Sequence, residues 1–147
     1  FIIDTSGRTG GRIDPKSQYS SLLPWSLTET TRPYRPSTVD MNKWEGERFS
    51  IWEFPNNGLD SYWYSADDMI GRFTSNYDIE MRIMIYPQVL TYLSHPSWMT
   101  SVDSPKLRRM FDYISNYNYR DDKGPIVYST LGRIYQEWDK DNFINGN

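Results

Sequence analysis

The lone histidine of the chain, His95, sits in the run Ser94-His95-Pro96-Ser97. An imidazole beside a hydroxyl is the start of a nucleophilic hydrolase site, but that site is defined by a geometry of three groups that spacing alone does not give. The sequence has no Gly-x-Ser-x-Gly turn to present a serine, so the run reads as a loop histidine. Glu45, Glu47, Glu53 and Asp60 are interleaved with Trp44, Trp52, Tyr62, Trp63 and Tyr64. Two carboxylates flanked by rings are what a glycosidase needs. Without catalysis, the same rings are stacking platforms for sugars, protein–protein anchors, or core.

Two further clusters carry charge. Gly7-Arg8-Thr9-Gly10-Gly11-Arg12 could cradle a phosphate, but it lacks the P-loop spacing and the Lys-Ser/Thr pair. It reads as a docking segment or arm. Lys106, Arg108 and Arg109 fall in the first turns of an expected helix, where cations oppose the macrodipole. Such a placement invites an acidic partner or anionic headgroups; Asp103 and Asp112 are the nearby residues able to screen it.

The elements that must hold these groups follow from pattern. Residues 1–46 hold Gly7, Gly10, Gly11, Pro15, Pro24, Pro33 and Pro36 among scattered Ser and Thr. They read as a long irregular arm anchored by Ile2, Ile3, Leu22, Leu23, Trp25 and Leu27. That composition buries too little to order itself, so the arm is expected to lie along this chain or, preferentially, a neighbour. Residues 47–147 read as a small hairpin-plus-helices domain. Residues 47–54 alternate, Pro55-Asn56-Asn57-Gly58 is a turn signal, and 59–64 is a second short run, which together predict an aromatic β-hairpin. Ser65 caps a short helix ending near Gly71–Thr74. Residues 76–94 fit a helix or a strand, with helix preferred. Ser104 and Pro105 open a helix over 104–118 with Leu107, Met110, Phe111, Ile114 and Tyr117 on one stripe. A last helix over 126–141, with Val127, Leu131, Ile134, Tyr135 and Trp138, pairs antiparallel with it.

Composition narrows the function class. The chain of 147 residues has six Trp, twelve Tyr and six Phe but one alanine, Ala66, so its core must be built from a few large rings. There is no cysteine, hence no disulfide and no thiolate ligand. No multi-histidine cage is available, and no cofactor is implied. Acidic residues outnumber basic ones by 19 to 16 and no RNA- or DNA-binding signature appears, which argues against nucleic acid. No run approaches the ~20 apolar residues of a membrane span. The chain opens on Phe1, as expected of a processed form or a fragment.

The expectation is an α+β protein, mainly helical in its second half, acting as a non-catalytic structural subunit of a large multiprotein assembly. A supernumerary subunit of a mitochondrial respiratory or ATP-synthase complex suits this profile, with peripheral contact to a membrane complex. A virion or phage structural protein suits it too, and a sugar-binding module on the aromatic hairpin is the alternative. The expected partner-binding residues are Leu22, Leu23, Trp25, Tyr34, Trp44, Trp52, Trp63, Lys106, Arg108 and Arg109.

Overall fold

Ser65 starts the best-formed helix. Its hydroxyl accepts from Asp68 N (3.1 Å), and the Asp68 carboxylate accepts from Ser65 N (2.9 Å), a reciprocal capping box. Helix α1 then runs Ala66–Thr74, as the sequence predicts. Met69 and Phe73, four apart, share its buried face. The buried Asn76 closes its end by donating to the Arg72 carbonyl (2.8 Å).

The computed structural model describes residues 2–5, 7, 27–28, 31–81, 83–84, 89–95, 97, 99, 101–119 and 126–144, with 83–84 and 139–144 described by backbone alone. In chain order the elements are β1 (Ile3–Asp4), β2 (Trp52–Glu53), α1, β3 (Tyr77–Asp78), β4 (Ile83–Met84), α2 (Asp103–Ser115) and α3 (Leu131–Ile144). β1 and β2 pair in parallel, Ile3 opposite Trp52 and Asp4 opposite Glu53. β3 and β4 pair antiparallel, Tyr77 opposite Met84. Among the described residues, three helices with two small sheets make a mixed α+β fold.

The core lies where α1 and α2 pack together, with β3 beside them. Met69, Phe73, Tyr77, Leu107, Met110 and Ile114 are its buried members. Rings supply much of its volume. Phe73 and Tyr77 stack at 5.3 Å, and Tyr117 meets Phe73 at 5.7 Å and Tyr77 at 5.3 Å. Each such pair contributes about 0.5–1.5 kcal/mol beyond its area.

Five expectations change. The hairpin over 47–64 does not form. Residues 57–61 pair in parallel with 89–93 through Gly58, Leu59 and Ser61, so they are not free to fold back on 49–54. Only Trp52–Glu53 remains strand, and its neighbours are the two arm segments at Ile3 and Tyr34. The helix preferred for 76–94 is replaced by β3 and β4. Asp78 Oδ1 accepts from both Glu80 N and Met81 N, which turns the chain before a helix can propagate.

α2 begins at Asp103, ahead of the Ser104 cap. Val102 stands at its cap position with no side-chain bond, and Pro105 still falls in the first turn, where no N–H is needed. α3 begins at Leu131, not 126. Thr130 accepts from Arg133 N at its hydroxyl (3.4 Å), while Ile126 is held earlier by Tyr119 N (2.7 Å). Among the described residues, α2 takes α1 rather than α3 as its packing partner.

Candidate functional site

The junction between residues 57–64 and 89–95 gathers most of the polar chemistry. Asn57 is fully buried and acts as a clamp: its Nδ2 donates to Val89 O (3.0 Å) and its Oδ1 accepts from Thr91 N (3.1 Å). Gly58 N donates to Thr91 O (2.9 Å). The approach demands glycine, because a Cβ there would lie 2.7 Å from that carbonyl oxygen. Leu59 follows with φ 84°. A left-handed leucine costs about 1–2 kcal/mol, offset here by the bond from Leu93 N to its carbonyl (3.0 Å) and by packing on the core.

This strained turn aims Asp60 inward. Its Oδ1 accepts from Tyr62 N (2.9 Å), and its Oδ2 lies 3.0 Å from His95 Nε2. The partner that sequence reading could not supply for the loop histidine is thus a buried carboxylate 35 residues away. A carboxylate at hydrogen-bond distance fixes the ring orientation of an imidazole. Among the described residues, no serine hydroxyl is hydrogen-bonded to His95. Nor do three His, Asp or Glu side chains converge as metal ligands. Beside the dyad, Tyr62 and Trp63 are exposed and perpendicular, centroids 4.3 Å apart, with His95 6.4 Å from Tyr62. Lys106 Nζ donates to Ser61 O (3.0 Å) and to Asp103 (3.4 Å), tying α2 to the junction.

A second surface lies on residues 37–49. Ser37 N donates to Lys43 O (2.8 Å), Thr38 N to Glu47 O (2.9 Å) and Phe49 N to Pro36 O (2.9 Å). From inside, the Tyr34 hydroxyl donates to Met41 O (2.8 Å). The loop is therefore pinned at several points, yet its large apolar side chains face outward: Val39 is 93% exposed, Trp44 53%, Phe49 49% and Met41 42%. Trp44 keeps one edge on Tyr34, at 6.0 Å.

A third feature lies under the arm. Glu53 is 1% exposed. Its Oε1 accepts from Gly7 N (2.9 Å), and Asp4 sits opposite it in the parallel register. Burial pushes the Glu53 carboxyl up to about 7; the Gly7 N–H pulls it down, and the charge and hydrogen bond of Asp4 raise it further.

Among the expected partner-binding residues, Trp44 and Trp63 are exposed on two different surfaces. Tyr34 and Trp52 are buried within this chain, and Arg35 lies over the Trp52 ring at 5.2 Å. They serve the interior rather than the surface. Lys106 is committed to Ser61 and Asp103, and Arg109 pairs with Asp67 of α1. These partners compensate the cations at the start of α2. Arg108 is exposed, and Leu22, Leu23 and Trp25 lie outside the described residues, as does the run 8–12.

The Asp60–His95 contact and the buried Glu53 were not visible in the sequence. Glu53 falls on the face of the alternating run that Phe49 and Ile51 share, opposite Trp52 and Phe54, and the local pattern says nothing of what covers it. Among the described residues, no helix is long and apolar enough to cross a membrane. Comparison of the chain with known protein families, curated proteins and solved structures finds no match.

Proposed function

We propose that this chain is a non-catalytic structural subunit that packs into a larger protein assembly through its pinned 37–49 loop. The observation that carries the reading is the outward display of Val39, Met41, Trp44 and Phe49 on a loop held by its own backbone bonds. Exposed rings on a mobile loop lose entropy when they bind; rings already fixed lose less. Trp is the residue type most enriched at interface hot spots. Scattered exposed apolar residues need no explanation, but four on one ordered loop call for one.

The test is migration in native extracts of the source cells. The tagged full chain is expected in a stoichiometric complex well above its own 17.5 kDa. Trp44→Ala with Phe49→Ser is expected to shift it to the monomer position while far-ultraviolet circular dichroism stays unchanged. A wild-type chain that migrates alone overturns the reading.

A second reading rests on Tyr62 and Trp63. Two exposed rings at right angles beside His95 are a stacking corner for a sugar ring, with an imidazole available to a hydroxyl. Trp52, buried, has no part in it. An oligosaccharide panel is expected to change tryptophan fluorescence in the wild type but not in Trp63→Ala; no response across the panel removes this reading.

A further inference from the structure

Polar bonds join residues 55–58 to 89–91, and Thr91 is at their centre. Thr91 N donates to Asn57 Oδ1 (3.1 Å), its hydroxyl donates to Pro55 O (2.7 Å), and its carbonyl accepts from Gly58 N (2.9 Å). Asn57 Nδ2 donates to Val89 O (3.0 Å). This geometry dictates the residue types. Position 57 must both donate and accept, which a side-chain amide does. Position 58 must be glycine, because a Cβ there would meet the Tyr92 ring at 2.8 Å as well as the Thr91 carbonyl.

The clasp is therefore built on an Asn-Gly pair. Asparagine is a thermolabile residue, and glycine is its most permissive successor. With no Cβ on the next residue, nothing shields the backbone nitrogen from the side-chain amide carbon. The docked state blocks that encounter twice. Gly58 N, the nucleophile, has its proton engaged by Thr91 O. The Asn57 amide, the electrophile, is fully buried and held by Val89 and Thr91. Both restraints come from 89–91, so separation of that segment from 55–58 lifts them together.

We propose that Asn57–Gly58 is a deamidation site gated by the segment 89–91: inert while the segment is docked, it converts to aspartate or isoaspartate when the segment opens. In the open state Gly58 N gives its proton to solvent base and attacks the Asn57 side-chain carbonyl carbon. A new N–C bond forms, the bond from that carbon to Nδ2 breaks, and Nδ2 takes up a proton and leaves as ammonia. Water then adds to the cyclic imide and opens it at either carbonyl. Water is the only co-reactant, and nothing is oxidised or reduced.

Neither product restores the clasp. An ionised aspartate has no N–H for Val89 O and sets a carboxylate against that carbonyl. Isoaspartate routes the main chain through the side-chain carbons of residue 57, which lengthens it and takes Gly58 N out of register with Thr91 O. The conversion is a one-way record of opening at the junction that also positions Asp60 against His95.

The full chain, incubated at mildly alkaline pH in buffer and in urea, tests this. Mass spectrometry follows the peptide carrying residue 57, with aspartate and isoaspartate separated by chromatography. The wild-type rate is expected to be at least about tenfold lower in buffer than in urea, since only the open fraction reacts. Asn145–Gly146, the other such pair in the chain, calibrates the unfolded rate in the urea sample. Thr91→Val keeps the shape and the backbone bonds but removes the bond to Pro55 O. It is expected to raise the rate in buffer roughly three- to tenfold and to leave the rate in urea unchanged. Asn57→Asp, the product itself, is expected to lower hydrogen-exchange protection of the Gly58, Ser61 and Leu93 amides while Phe73 in α1 and Met110 in α2 keep theirs. Should that variant fail to fold, the rate comparisons decide alone. Equal rates in buffer and urea, an unchanged rate in Thr91→Val, or undiminished protection in a folded Asn57→Asp overturns the gated site.

Discussion

A glutamate within a short alternating run becomes the least exposed carboxylate of the described chain, because a segment about fifty positions away covers it. Gly7 makes that possible, and its replacement is a direct probe. Gly7→Ala is expected to destabilise by about 1–3 kcal/mol, since the added methyl overlaps Glu53 and Leu27. Urea unfolding of both proteins measures it; a change below about 0.5 kcal/mol would mean that the contact yields without strain. At the other junction, Gly58→Ala meets a backbone carbonyl rather than a flexible tip. A larger loss is expected there, along with lower exchange protection of the Ser61 and Leu93 amides. In both cases the glycine stood in plain view in the sequence. Its reason did not, because a close approach is a relation between two distant segments, and no local pattern encodes it.

Helices and strands differ in how much of themselves the sequence exposes. α1 was legible at both ends: Ser65, Asp67 and Asp68 mark its start and its stop near Gly71–Thr74 was expected, whereas its buried face of Met69 and Phe73 emerges only in the structure. Ser65→Ala is expected to cost about 1 kcal/mol through loss of the cap. The Asp68 carboxyl is held below its usual range by the hydrogen bonds from Ser65, so that contribution is present above the ordinary carboxylate pKa and fades as pH falls below it. Thermal melts at pH 7 and pH 3 should show a smaller gap between Ser65→Ala and wild type at the lower pH. The helix stripe of α2 was also legible in Leu107, Met110 and Ile114, though Phe111, assigned to the same stripe, is exposed. The hairpin was not. Asn57-Gly58 is a strong turn signal in isolation, but the Asn57 amide is used to clamp 89–91, and tertiary bonds override local preference. The same holds for 76–94, where one aspartate at position 78 decides between turn and helix.

For the molecule as a whole, the surplus of rings divides in two. Phe73, Tyr77, Tyr113 and Tyr117 build a core that a chain with one alanine could not otherwise fill. Phe73→Ala is expected to cost about 3–5 kcal/mol in urea unfolding. Trp44 and Phe49, by contrast, contribute little to folding. Their joint replacement is expected to cost no more than about 1.5 kcal/mol, mostly the edge contact with Tyr34. A loss as large as that of Phe73→Ala would show that the loop is part of the folding unit and would weaken the interface reading. The split was foreseeable in outline from composition; which ring went where depended on the pairing of segments far apart in the chain.

That pairing also sets an order in time. Gly7 and Glu53 are 46 residues apart, and Asn57 and Val89 are 32 apart. A ribosome adds roughly 5–20 residues per second, so the segment around Gly7 waits on the order of seconds before the edge it docks on has been made. Throughout that interval the backbone of Ile2 and Asp4 lacks the edge it pairs with, and closing a loop of that length is entropically slow. Any neighbour with a free strand edge can compete for the segment before the chain can claim it for itself.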